Sequence, residues 1–150
     1  MIYERSYGAV VYRKDKHANM YLLLLYERDG KQYWDFPKGG AEAGEDAFDA
    51  MRAEVKEETG ITQLDMASGF KEKTHYMFRN AGELVSKDVV FFLARTEQEK
   101  VTVSFEHKDA DWYTYEEAMK IMKFKDSKDV LTKAHEFLGS GKAVFQKRLV

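Results

Sequence analysis

The segment from Ala47 to Gly60 constrains this chain more than any other. Its apolar residues recur at helical spacing, and Gly60 supplies a C-terminal stop, so a helix is expected from about Asp46 to Thr59. With Ala47 at zero and about 100° per residue, Phe48, Ala50, Met51 and Val55 fall on an arc from roughly −60° to +100°. Such an arc is the face a helix buries. Glu54 and Glu58 lie inside it, at about −20° and +20°, and Glu57 flanks it near −80°. Asp49, Arg52 and Lys56 take the opposite side. An unpaired buried carboxylate is very costly, and three together raise one another's pKa. A divalent cation offsets both effects most directly, because hard cations prefer several carboxylate oxygens. The plain alternative is a tilted helix whose glutamates stay wet.

Strand-like segments surround this helix. Tyr7 to Tyr12 and Met20 to Glu27 read as strands, and Leu22 to Leu25 looks buried on both faces. Trp34-Asp35-Phe36 is extended, because the residue before Pro37 avoids the helical region. Gly39-Gly40 opens a loop that runs to Gly44. Asp65 to Phe78 and Lys87 to Ala94 read as two strands separated by Asn80-Ala81-Gly82, and Val101 to Phe105 and Asp111 to Tyr113 as short ones. Thr114 and Glu117 form a capping-box pattern at the start of a second helix. A third helix spans about Ser127 to Leu138, and Lys142 to Val150 carry no assignable pattern. This alternation predicts an α/β layered domain, one unit over 1–150. The chain has no Cys, which removes disulfides, thiolate nucleophiles and thiolate metal sites and fits a reducing cytoplasm. A net charge of −2 argues against a large basic face for duplex nucleic acid. The longest aliphatic run, Leu22 to Leu25, is far short of a membrane span, and the first residues lack an apolar signal core.

The pattern Gly39-x5-Glu45-x7-Ala53-Glu54-Val55-x-Glu57-Glu58-x-Gly60-Ile61 resembles the Nudix box, G-x5-E-x7-R-E-U-x-E-E-x-G-U, with its spacing intact over 39–61. One position departs: the box Arg is Ala53 here, and an Arg stands one residue earlier at Arg52, which moves the guanidinium about 100° around the helix. The resemblance implies an α/β/α sandwich with a mixed β-sheet, and hydrolysis of a nucleoside diphosphate linked to another group. It also implies Mg²⁺, with Mn²⁺ as alternative, held by Glu54, Glu57, Glu58 and a glycine carbonyl, Gly39 or Gly40.

Outer motifs are similar to those of the asymmetric diadenosine tetraphosphate hydrolases. Trp34-Asp35-Phe36-Pro37-Lys38-Gly39 resembles their W-x-x-P-K-G lead-in, and Phe105-Glu106-His107 a segment whose glutamate is a distant metal ligand. Lys87 matches a lysine opening a late strand, and Tyr76 and Phe124 match the aromatic pair that stacks on adenine. This likeness implies cutting of diadenosine tetraphosphate to ATP and AMP; a monomer in the cytoplasm is the accompanying expectation. Glu54, Glu57, Glu58, Glu106 and Gly39 would serve the metal, and one of Glu54, Glu58 or Glu106 would be the general base. Lys38, Lys87, Tyr76 and Phe124 would bind the small-molecule nucleotide, with no membrane and no duplex nucleic acid as partner. Another Nudix substrate (ADP-ribose, a nucleoside triphosphate or an RNA 5′ end) shares fold and box, and a non-catalytic nucleotide-binding regulator would not need three box glutamates. Trp34 reads as packing, His75 and His107 as surface or supporting groups, and Lys71, Lys73 and Arg79 as a basic strand that is either solvated or near the outer phosphates.

Overall fold

The computed structural model describes residues 1–41, 43–104 and 106–147, and within them nine strands share one mixed sheet. The strands are β1 (Ile2–Lys14), β2 (Asn19–Arg28), β3 (Lys31–Asp35), β4 (Lys38–Gly40), β5 (Asp65–Ser68), β6 (Glu72–Asn80), β7 (Glu83–Arg95), β8 (Asp109–Tyr113) and β9 (Val144–Lys147). The helices are α1 (Ala47–Thr59), α2 (Tyr115–Ile121) and α3 (Lys125–Gly139). The main path runs β3-β2-β1-β7-β5-β9, with β4 against β1, β6 against β7 and β8 against β2. β1 and β7 pair in parallel over eleven register partners, from Ile2↔Val85 to Tyr12↔Arg95. The other pairings are antiparallel.

Side chains alternate across a strand, so a doubly covered sheet needs apolar residues at odd and even positions alike. On one face Val10, Tyr12, Tyr21, Leu23, Phe91 and Leu93 pack against Ala118 and Met122 at α2 and against Val130, Leu131 and Ala134 of α3. On the other, Ala9, Val11, Leu22, Val90 and Phe92 pack against Phe48, Met51 and Val55 of α1. The Leu22–Leu25 run is therefore split between two cores, and the expected three layers are observed. No helix among the described residues is long and apolar enough to cross a membrane.

The helix ends follow their local chemistry. The Asp46 carboxylate accepts from the N–H groups of Phe48 and Asp49, at 3.1 and 3.2 Å. Gly60 adopts φ 74°, a left-handed stop, and its N–H reaches the Lys56 carbonyl. The Thr114–Glu117 capping box forms as expected. Three expectations need correction. The strand expected over 65–78 is broken at Gly69 (φ +85°) into β5 and β6, which flank β7 at different points. Residues 101–104 form no strand: the N–H of Thr102 goes to the Thr59 carbonyl and that of Ser104 to the Glu58 carbonyl, at 2.8 and 3.2 Å. They tie off the end of α1, while Phe105 lies outside the described residues. Gly39-Gly40, expected as loop, belongs to β4, whose register on β1 is Tyr7↔Gly39 and Ser6↔Gly40.

Candidate active site

Two glycines let the chain close up around α1. A Cβ at Gly8 would meet the Pro37 carbonyl at 2.7 Å, so only glycine lets the Phe36-Pro37 turn cross β1 this closely. A Cβ at Gly39 would fall on the Glu54 carboxyl, so β4 presents bare backbone to that side chain. The first holds the entry to β4 against β1, and the second holds β4 against α1.

The three box glutamates end in different environments. Glu58 is buried, at 4% exposure, Glu54 is half-buried and Glu57 is exposed. Burial, and then the charge of Glu54, push the Glu58 pKa up to about 8. Burial, and then the charges of Glu57, Glu106 and Glu45, push Glu54 up as well. Glu106 thus acts electrically on both Glu54 and Glu58, although it comes from the segment beyond the end of α1. Neither Glu58 oxygen has a hydrogen-bond partner among the described residues. The Lys38 backbone and the Tyr26 hydroxyl lie near enough to favour its ionised form, but the Tyr26 proton is given to the Phe36 carbonyl at 2.7 Å. His107 Nε2 stands 2.5 Å from Glu58 Oε2 without the alignment of a hydrogen bond, and its Nδ1 is buried and unpartnered. Burial lowers the His107 pKa, opposed by the field of Glu106.

These features fit a divalent cation: two carboxylate oxygens without a hydrogen bond, mutually repelling acids, and bare glycine backbone packed against Glu54. Among the described residues, no three His, Asp or Glu side chains already converge at the spacing of a single ion. The acids are gathered rather than closed.

Beside them lies a cleft of about 340 Å³, lined in part by Tyr33, Asp35, Lys38, Tyr76, Phe124 and Ser127. Lys38 joins the two places, its backbone near Glu58 and its side chain in the cleft. Rings run from the acids to the mouth: His107 meets Tyr26 edge-on at 4.7 Å, Tyr26 stacks on Tyr33 at 5.4 Å, and Tyr33 meets Phe124 edge-on at 5.2 Å. Phe124 is half exposed and Tyr76 half-buried. The structure thus brings Lys38, Tyr76 and Phe124 together. Lys87 does not line the cleft; it sits opposite Tyr76 in the β6–β7 register, on the face that carries Val89 and Phe91.

The remaining candidates have simpler places. Trp34 packs edge-on against Tyr113 at 5.3 Å. His75 and Lys73 both pair with Asp88, away from the cleft, and Arg79 reaches the Gly82 carbonyl. Ala53 is exposed, while the Arg52 guanidinium lies over the Phe48 ring at 6.0 Å with one buried unpartnered nitrogen. Among the described residues, Arg52 forms no ion pair with a box glutamate. Sequence reasoning passed over Asp35, Tyr26 and Tyr33. Their signal lay in the lead-in: an acid three residues before Lys38, and tyrosines facing one another across a hairpin (Tyr26↔Tyr33).

A mixed sheet clad by helices on both faces, with an acidic helix held against a glycine strand, defines the Nudix class of fold. The family model described as "NUDIX domain" matches residues 2–134, and the chain belongs to that family. It is 32% identical to the mouse bis(5′-nucleosyl)-tetraphosphatase [asymmetrical], over 91% of this chain and 96% of that protein. The pig protein of the same name is 34% identical over the same shares. Among solved structures, a C. elegans Ap4A hydrolase binary complex superposes with a TM-score of 0.79 at 31% identity, covering 91% of this chain and 98% of that one.

Proposed function

We propose that this protein is a metal-dependent hydrolase of dinucleoside polyphosphates that cuts diadenosine tetraphosphate to ATP and AMP. The observation that carries this reading is Lys38, which puts a cation and an aromatic cleft directly beside a buried acidic cluster. The relatives named above support the substrate class. Glu54, Glu57 and Glu58, with Glu106 and the Gly39 carbonyl as further ligands, would hold Mg²⁺ or Mn²⁺. When bound, the ion supplies charge neutralisation at phosphate oxygens and activation of water.

The chain's own residues do the rest. Tyr76 and Phe124 stack on a base, worth about 1–3 kcal/mol. Lys38 carries positive charge to the phosphates, which phosphoryl transfer needs more than covalent help. Lys87, beside Tyr76, meets a phosphate further out. As water attacks phosphorus, one of Glu54, Glu58 or Glu106 takes its proton, and in so coupled a set that proton belongs to the cluster. His107 Nε2 stands against Oε2 of Glu58 and limits how that carboxyl can turn. The protein would work as a single unit over 1–150, a monomer, on a small nucleotide in the cytoplasm, a compartment that the lack of cysteine supports.

Incubation with Mg²⁺ and a panel of nucleotides, with products resolved by chromatography, tests this. ATP plus AMP from diadenosine tetraphosphate is expected. Two ADP would overturn the asymmetric cut, and turnover of ADP-ribose, a nucleoside triphosphate or RNA 5′ ends alone would move the chain to another Nudix substrate. No turnover of any member would favour a regulator.

A further inference from the structure

A buried carboxylate outside the box remains unexplained by the chemistry above. Asp35, at the end of β3, is 2% exposed. Burying an ionised acid is costly unless donors surround it. Asp35 has three: the Phe36 N–H at 2.8 Å on Oδ1, and Ser127 Oγ at 3.2 Å and Lys38 Nζ at 3.5 Å on Oδ2. The first is a local turn contact. The other two reach different elements, β4 and the first turn of α3, and both residues line the cleft.

Lys38 Nζ is held from several directions. It lies 5.8 Å from the Tyr26 ring centroid and 5.9 Å from that of Tyr76, both cation–π distances. Its side chain is 16% exposed. We infer that Asp35 is a positioning residue: its carboxylate holds the Lys38 ammonium between the Tyr26 and Tyr76 rings, facing the cleft, and through Ser127 ties that ammonium to the helix start that carries Phe124. The same Oδ2 that meets the ammonium at 3.5 Å also accepts from Ser127 Oγ, so one buried oxygen joins the two elements. Without the Asp35 carboxylate, the ammonium loses its anionic anchor and gains freedom to swing away from the rings. The inference rests on the reading of Lys38 as a phosphate contact.

The test compares the wild type, Asp35→Asn and Ser127→Ala at one pH. The readouts are kcat/KM with diadenosine tetraphosphate and Mg²⁺, and the ring-current shift of the Lys38 ε-CH2 resonances without nucleotide. Asparagine keeps an acceptor for the Phe36 N–H and can donate its amide to Ser127 Oγ, but it loses the charge that holds Lys38. Asp35→Asn should lower kcat/KM about tenfold and move the Lys38 ε-CH2 resonances toward their position in an unrestrained lysine, because the ammonium leaves the rings of Tyr26 and Tyr76. Ser127→Ala should move them in the same direction by less. A folded Asp35→Asn whose kcat/KM and Lys38 resonances match the wild type would overturn the inference. If Asp35→Asn does not fold, wild-type Lys38 ε-CH2 resonances without a ring-current shift, unmoved by Ser127→Ala, would overturn it equally. The resonances need no turnover, so a failed substrate assignment leaves the Asp35–Lys38 contact decided by them.

Discussion

Replacing Glu58 with Gln should stabilise the metal-free protein while abolishing turnover. In the folded chain the Glu58 carboxyl titrates at about 8 against an ordinary 4.5, so between these values the folded state holds a proton that the unfolded state has released. The contribution of this one carboxyl is therefore most favourable below pH 4.5 and is lost as pH rises toward 8. At pH 7 the cost is about 3 kcal/mol, and at pH 5 about 1 kcal/mol. Glutamine carries no charge to bury, but its unmade hydrogen bonds take back about 1–2 kcal/mol. The net gain at pH 7 is then about 1–2 kcal/mol, or a rise in Tm of about 3–6 °C for a chain this size, and close to nothing at pH 5. Thermal unfolding in chelator at both pH values reads this directly. Saturating Mg²⁺ should reverse the order, because at about 100 times Kd a ligand adds about 2.7 kcal/mol to the wild type and less to the variant. A variant less stable than the wild type at pH 7 in chelator, or a difference that does not change with pH, would show that burial of the Glu58 charge is not what sets the balance.

Two further substitutions probe the neighbouring contacts. Gly39→Ala should displace the Glu54 carboxyl and reduce kcat by about 100-fold, with a circular dichroism spectrum like the wild type's; near-normal turnover would show that the Gly39–Glu54 contact is incidental. Phe124→Ala should raise KM for diadenosine tetraphosphate by about tenfold and leave inorganic polyphosphate unaffected, consistent with about 1–3 kcal/mol of stacking. An equal effect on both substrates would make the ring structural.

The box helix was legible because two independent rules, periodicity and burial cost, disagree at Glu54 and Glu58, and the disagreement itself marks a site. The structure grades the answer in a way the wheel did not: Glu58 is buried, Glu54 half-buried and Glu57 exposed, since β4 covers only part of the helix. Residues 101–104 misled because Val101 and Val103 alternate like a strand, whereas the backbone between and beyond them is spent on the carbonyls ending α1. Such long-range pairing leaves no local trace. β5 and β6 looked like one strand because Gly69 alone marks the break, and an isolated glycine reads equally as a bulge. The ring sequence from His107 to Phe124 was hidden for a related reason. Tyr26 and Tyr33 are ordinary strand residues until a hairpin stacks them. Asp35 was masked by its motif, in which the position before the Phe is read as free.

The function proposed for this chain turns on a divalent cation that draws the carboxylates of Glu54, Glu57 and Glu58 together. An anomalous difference map from a crystal soaked in Mn²⁺ would detect that ion. A peak within about 2.0–2.5 Å of carboxylate oxygens from at least two of these glutamates is the expected result. A crystal whose dissolved protein hydrolyses diadenosine tetraphosphate in Mn²⁺, yet whose map is flat among those oxygens, would rule out the metal site placed there.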